Sequence, residues 1–169
     1  MNASIVSRDD DKIVLRIEVP VKQSMLEGEE SLLQSLNEAG VLVTGELLHR
    51  FDVDGAPLHM GDVKYTKRSK DPKPYQTPYG EVTVERCVYQ TSKGGSIYCP
   101  LEYNARIIGT STPRFAKIVS SKYSALGAQE VVRDLAENHA RPVARSFVKN
   151  LADMVGDLVE MKEGVWSYS

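Results

Sequence analysis

The hydrophobic positions of this chain change their spacing several times, and each change marks an expected element. Apolar residues alternate with polar ones from Ile13 to Val19, which is the two-residue period of a β-strand. From Leu26 to Phe51 the spacing becomes helical. Gly40 is expected to divide this stretch into two helices, because a glycine costs about 1 kcal/mol in a helix interior. The first third of the chain therefore predicts a strand followed by two helices.

The middle of the chain predicts a linker and a β-hairpin. Residues 64–79 interleave basic residues with tyrosines and prolines, a composition that suits either a solvated linker or a strand or arm lying along nucleic acid. Valines then alternate with polar residues from Val82 to Val88. The Ser92–Gly95 turn returns the chain through Ser96–Cys99, which is the pattern of a β-hairpin with a glycine-rich loop.

The last third predicts three helices. Thr112 and Pro113 suit the cap and the first turn of a helix that Gly127 would end. A second helix is expected from about Ala128 to Asn138, and a third from Pro142 onward. A break of about four residues between two such helices is typical of a helix-turn-helix. The whole pattern predicts an α+β fold: an N-terminal strand and helices, a central β-hairpin, and a C-terminal three-helix bundle resembling a helix-turn-helix.

The net charge of −2 conceals an uneven distribution. Residues 1–63 carry 5 Lys/Arg against 12 Asp/Glu, residues 64–104 carry 7 against 4, and residues 105–149 carry 8 against 3. Because a phosphate backbone responds to local charge, the basic centre matters more than the total. We therefore expect three regions: an acidic strand–helix region (1–63), a basic linker with its hairpin (64–104) and a DNA-binding region (105–169).

The sequence predicts neither a metal site nor a membrane anchor. Cys87 and Cys99 fall on the two arms of the expected hairpin, but no C-x-x-C pair or paired histidines complete a zinc site. Buried, reduced thiols are the expected state of both residues. No apolar run approaches the roughly 18 residues of a membrane helix, and the N-terminus lacks the apolar segment of a signal peptide. These features favour a soluble cytoplasmic protein that uses no cofactor.

The basic residues of the third C-terminal helix form the predicted nucleic-acid site. Three of them recur every four positions and therefore share one helix face. At the front of a recognition helix, arginine can read guanine, while lysine and serine commonly hold phosphates. A three-helix bundle with an incidental basic face stays open as the alternative. The predicted DNA contacts are Arg141, Arg145, Ser146 and Lys149, supported on phosphates by Arg114 and Lys117 of the first helix.

Eight short segments carry a family resemblance. They are Phe51–Pro57, Pro74–Val82, Val88–Gly95, Tyr98–Glu102, Ala105–Ile108, Thr112–Lys117, Asp134–His139 and Val143–Ser146. With these segments the chain resembles the ISKra-type insertion-sequence transposases, over roughly residues 30–168. The resemblance implies binding to double-stranded DNA at insertion-sequence ends, during transposition, in the bacterial nucleoid.

The resemblance also implies two departures and a missing domain. Family members usually carry His at the position of Cys87 and Gly at the position of Ala140. If position 140 needs a positive φ, alanine there would cost on the order of 1 kcal/mol. In the family, a ribonuclease H-like domain follows, whose three acidic residues would bind two metal ions for strand cleavage and joining. This sequence ends at Ser169, about where that domain would begin, so we expect no catalytic residue and no enzyme activity in this chain alone.

Three other functions stay open at this point. A truncated transposase could repress transposition by occupying the same DNA ends. A different kind of protein, an interaction module, could use its helices at 26–52 for homo-oligomerisation. The third alternative is a decayed gene product.

Overall fold

A computed structural model of the chain describes residues 1–165 and the side chains of residues 1–162. Within this part the fold is α+β, as the sequence predicts. Trp166–Ser169, the end of the predicted DNA-binding region, lie outside the described residues. In chain order the elements are β1 (Ala3–Arg8), β2 (Ile13–Ile17), α1 (Met25–His49), β3 (Leu58–Met60), β4 (Val63–Gln76), β5 (Glu81–Thr91), β6 (Gly94–Tyr98), α2 (Pro100–Asn104), α3 (Pro113–Ala125), α4 (Ala128–His139) and α5 (Arg145–Val165).

The N-terminal strand predicted from Ile13 is half of a hairpin. The sequence does not predict β1. It pairs antiparallel with β2, from Ala3 opposite Ile17 to Arg8 opposite Ile13. The carboxylate of Asp9 holds the turn by accepting a hydrogen bond from the backbone N–H of Lys12 at 2.8 Å. The hairpin rests against α1, where Ala3 is buried.

The prediction of two helices divided at Gly40 is wrong, because α1 is a single helix of 25 residues. Ser24 caps its first turn: the hydroxyl oxygen accepts a hydrogen bond from the Glu27 N–H, and the hydroxyl donates to the Glu27 carboxylate at 3.0 Å. At Gly40 a Cβ would lie 2.2 Å from Cγ of Tyr79. Gly40 therefore marks the place where the turn between β4 and β5 crosses the helix, and packing outweighs its low helix propensity.

The predicted linker is also wrong, because most of residues 64–79 form the 14-residue strand β4. The central sheet has the order β3-β4-β5-β6 and is antiparallel throughout. β3 covers β4 only from Val63 to Tyr65, so the rest of β4 is an edge strand. Pro72 and Pro74 lie in this edge portion, where a missing N–H breaks no pairing with a neighbour. The predicted hairpin of β5 and β6 is confirmed.

Two hydrophobic cores hold the fold together. The first lies between α1, the sheet and α2, and contains Leu48, Tyr75, Val84, Leu101 and Ala105. The second lies inside the bundle of α3, α4 and α5, which confirms the three predicted C-terminal helices. Its buried members are Phe115, Ala116, Val119, Ala128, Val131, Leu135, Val148 and Leu151.

The sheet and the bundle are joined through the end of β4. The backbone of Gln76 donates to the carbonyl of Thr110 at 2.7 Å and accepts from the N–H of Thr112 at 3.0 Å, immediately before α3 begins. Asn37 of α1 donates from Nδ2 to the carbonyl of His139 at the end of α4, at 3.2 Å. These hydrogen bonds place the start of α3 against the end of β4, and the end of α4 against α1.

Candidate nucleic-acid interface

The turn between α4 and α5 depends on one left-handed residue. Ala140 ends α4 with φ 50° and ψ 38°, and the next N–H, that of Arg141, donates to the carbonyl of Leu135 at 2.9 Å. Position 140 therefore has a positive φ. An alanine in this conformation brings its Cβ close to a carbonyl oxygen, at a cost of roughly 1 kcal/mol. The turn therefore contains local backbone strain at Ala140.

Arg141 is buried in that turn, and the prediction that it contacts DNA is wrong for this structure. Its residue exposure is 5%. Nε donates to the carbonyl of Thr77 at 2.9 Å, Nη2 donates to Oε1 of Gln76, and the guanidinium lies 5.1 Å from the centre of the Phe115 ring. Burial lowers the pKa of Arg141, and the charge of Glu81 opposes that change. Arg141 therefore connects the bundle to the sheet.

The cause of this error is the position at which α5 begins. The sequence predicts a helix that starts at Pro142, which would bring Arg141 into register with the basic face. The helix begins instead at Arg145, so that Arg141 belongs to the turn and is directed by the turn's own geometry. A four-residue repeat defines a shared face only where all its members are helical.

The other five predicted contacts lie on the surface, and we call them the basic front. All five are exposed, in the first two turns of α3 or of α5. Among the described residues, none of the four cations forms an ion pair, whereas Lys122 pairs with Asp134 and Arg133 with Glu137 elsewhere in the bundle. The basic front consists of Arg114, Lys117, Arg145, Ser146 and Lys149.

The two helices bring their amino ends together. Phe115 in the first turn of α3 and Phe147 in the first turn of α5 stack with their ring centres 6.1 Å apart. Neither first turn contains an acidic residue. Free backbone N–H groups and the helix dipole make such ends favourable places for an anion. The basic front therefore combines side-chain charge with two adjacent helix amino ends.

The cations at the front of α5 oppose the helix dipole, whereas Lys162 in the last turn is favourably placed. Arg145 and Lys149 lie near the positive amino end, while Asp153, Asp157 and Glu160 follow toward the negative carboxyl end. Each unfavourable placement in a terminal turn costs about 0.3–1 kcal/mol. Helix stability therefore does not explain the cations at the front of α5, whereas an external anion would.

A second set of cations lies along β4. Their side chains are exposed, and β4 is an edge strand over most of this length. The sequence indicated nucleic-acid contact for this segment as an alternative to a linker, and the strand, which has a bulge or irregularity between Lys67 and Ser69, carries these charges at exposed positions. The four residues are Lys64, Lys67, Arg68 and Lys70.

One cluster of charges was missed by the sequence analysis. Glu102 of α2 accepts hydrogen bonds at a single oxygen from Lys73 Nζ at 2.6 Å, Tyr75 Oη at 2.8 Å and Arg86 Nε at 3.3 Å. Burial disfavours the Glu102 carboxylate, but these hydrogen bonds and the charges of Lys73 and Arg86 outweigh it and lower the pKa of Glu102. Burial and the hydrogen bond to Glu102 raise the pKa of Tyr75. The cluster fixes α2 on the sheet and removes Lys73 from the basic surface.

The two cysteines are free thiols in the sheet region. Cys87 is buried, Cys99 is partly buried, and burial raises the pKa of both. A raised pKa keeps a thiol protonated and makes it a poor nucleophile. Within residues 1–162, whose side chains are described, no three His, Cys, Asp or Glu side chains are grouped so that they could hold a metal ion. In the same range, no helix is both long and apolar enough to cross a bilayer.

No known family model matches this sequence, and no curated protein is significantly similar to it. The basic front is the feature that most strongly indicates a function.

Proposed function

We propose that this chain binds double-stranded DNA through the basic front, with α4 and α5 acting as a helix-turn-helix. One observation supports this most directly: four exposed cations without ion-pair partners among the described residues gather at the adjacent amino ends of α3 and α5. A phosphate backbone would supply the missing counter-charge. α5 follows α4 after a five-residue turn, as a recognition helix follows the first helix of that motif.

The residues of the basic front divide into two roles in this proposal. Arg145 begins α5 and is the residue assigned to base edges, since its guanidinium can form two hydrogen bonds with a guanine. Ser146, Lys149, Arg114 and Lys117 are assigned to phosphates, which fix the position of the duplex without reading its sequence. Arg141 has no DNA contact and acts as a positioning residue for the turn.

The DNA that we propose is an insertion-sequence end. The resemblance to ISKra-type transposases supports this choice, because the likeness includes Thr112–Lys117 and Val143–Ser146, which carry four of the five residues of the basic front. The role proposed is end recognition during transposition, in the nucleoid, and no strand-cleaving role is proposed for these residues.

The proposal is tested by the salt dependence of DNA binding. Fluorescence anisotropy of a labelled duplex, measured between about 50 and 200 mM salt, gives the slope of log affinity against log salt. Replacing both Arg145 and Lys149 by Ala removes two cations, so the slope should become shallower by about 2 units and binding should weaken at every salt concentration. The matched control is K12A/K22A, which removes two exposed cations from the acidic N-terminal region.

The two variants together decide the assignment. The control should retain the slope and the affinity of the original chain. An equal loss in both variants would mean that any cation contributes, and the basic front would not be the interface. If the original chain does not bind duplexes at 50 mM salt, the DNA proposal is wrong and an interaction module becomes the better interpretation.

A further inference from the structure

The second half of α5 carries an apolar stripe that its own bundle leaves uncovered. Leu151 is 3% exposed in the bundle core, but Met154, Leu158 and Met161 further along the helix are 44%, 41% and 69% exposed. The four residues follow one another at intervals of three, four and three. This is the a/d spacing by which two helices pack along a left-handed seam. The stripe is thus a continuation of the core pattern beyond the core.

Opposite charges flank this stripe. If Leu151 and Leu158 occupy the a positions of the heptad, Asp157 occupies g and Lys162 occupies e, the two positions beside the seam. Both side chains are exposed, and within the described residues neither forms an ion pair. Neither has an opposite charge three or four residues away on its own helix, where an intrahelical partner would lie. Their placement matches a partner helix better than it matches α5 alone.

We propose that a second copy of this chain packs on this stripe, forming a parallel two-stranded coiled coil from Met154 to Lys162. In a parallel pair, a g residue faces the e residue of the following heptad, so that Asp157 meets Lys162 of the partner subunit on both sides of the seam. In an antiparallel pair, g faces g and e faces e, which would oppose Asp to Asp and Lys to Lys. The charges therefore select a second copy in the parallel orientation.

This inference does not depend on DNA binding. A parallel pair would hold two basic fronts at the same end of the seam, but the pairing rests only on the stripe and its flanking charges. The seam spans nine residues, little more than one heptad, and short helices are marginal by themselves. We therefore expect a weak dimer, with a dissociation constant on the order of tens of micromolar.

The experiment measures the mass of the full chain by sedimentation equilibrium over a range of concentrations. The mass should rise from 18.8 kDa toward twice that value. Reversing one flanking charge, in D157K or in K162D, makes both symmetry-related pairs repulsive and should weaken dimerisation about tenfold. An equimolar mixture of D157K and K162D restores both pairs, so its affinity should return to within about twofold of the original.

One control variant and three possible contradicting results test the proposed dimer. E160K carries the same charge change on the same helix but lies at a c position, away from the seam, and should leave the dissociation constant unchanged. Leu158→Asn, on the seam itself, should leave the chain largely monomeric. A chain that stays at 18.8 kDa throughout would overturn the proposal. So would a dimer that is insensitive to D157K and Leu158→Asn, or single-variant losses that the mixture does not repair.

Discussion

At the scale of single residues, Ala140 offers the clearest gain in stability. Its left-handed conformation suits glycine, which has no Cβ to approach a carbonyl oxygen. Ala140→Gly should therefore raise the free energy of unfolding by about 1 kcal/mol, measured by urea denaturation. The matched control is Ala136→Gly, one turn earlier inside α4, which should lower it by about the same amount. Equal effects of the two substitutions would show that position 140 is not strained.

The same neighbourhood shows how far single residues can be predicted from sequence. The resemblance raised a positive φ at position 140 only as a condition, and the structure places Ala140 at φ 50°. The buried position of Arg141 could not be predicted from the sequence. Its partners, the carbonyl of Thr77 and the amide of Gln76, lie more than 60 residues earlier, and nothing in local spacing brings them near.

At the scale of elements, Gly28 and Gly40, two of the three glycines of α1, are expected to respond oppositely to the same substitution. Gly28→Ala places a methyl group where no atom lies within 4 Å, so the better helix propensity should add up to about 1 kcal/mol to the free energy of unfolding. Gly40→Ala gains the same propensity but drives Cβ into the Tyr79 ring, where Cγ is 2.2 Å away. We expect a net loss of roughly 1–2 kcal/mol, because the turn must move.

Chemical denaturation of both single variants checks this pair. Stabilisation by both would mean that the Tyr79 turn yields freely and that Gly40 is replaceable. Destabilisation by both would contradict the propensity argument for α1 as a whole.

The elements that sequence predicted correctly are those with a one-sided apolar pattern. Two apolar patterns became the bundle core: the stripe that contains Phe115 and Val119, and the pair Val131 and Leu135. An apolar stripe with a 3.6-residue period lies on one face of a helix, so only that face is suited to burial. β4 was expected only as an alternative to a linker, for the opposite reason. Its prolines argue against a strand in general, and only the sheet order shows that they lie at an edge.

At the scale of the whole molecule, the basic front is assembled from parts that the sequence separates. Arg114 and Arg145 are 31 positions apart, and only the packing of Phe115 on Phe147 makes their helix ends neighbours. The sequence analysis named both residues but had no means of placing them together. Arg141 stabilises this arrangement, since its guanidinium lies against Phe115 and donates a hydrogen bond to Thr77, the residue after β4.

Arg141→Met therefore tests a structural role against a DNA-contacting one. Methionine fills most of the volume but leaves the Thr77 carbonyl and the Gln76 side-chain oxygen without their donors. Unpaired buried acceptors cost about 1–3 kcal/mol each, so we expect the free energy of unfolding to fall by roughly 2–4 kcal/mol. The thermal midpoint should fall by about 5–10 °C. The salt slope of DNA binding, measured well below that midpoint, should not change, because no phosphate contact is lost.

Arg145→Ala is the matched variant, because it removes the same charge from an exposed position in the first turn of α5. It should make the salt slope shallower by about 0.9 while leaving the free energy of unfolding within roughly 0.5 kcal/mol. Arg141→Met should therefore change stability but not the salt slope, and Arg145→Ala should change the salt slope but not stability. If Arg141→Met instead makes the slope shallower without destabilising the fold, the guanidinium must leave Thr77 to reach DNA, and the structural role assigned to Arg141 would be wrong.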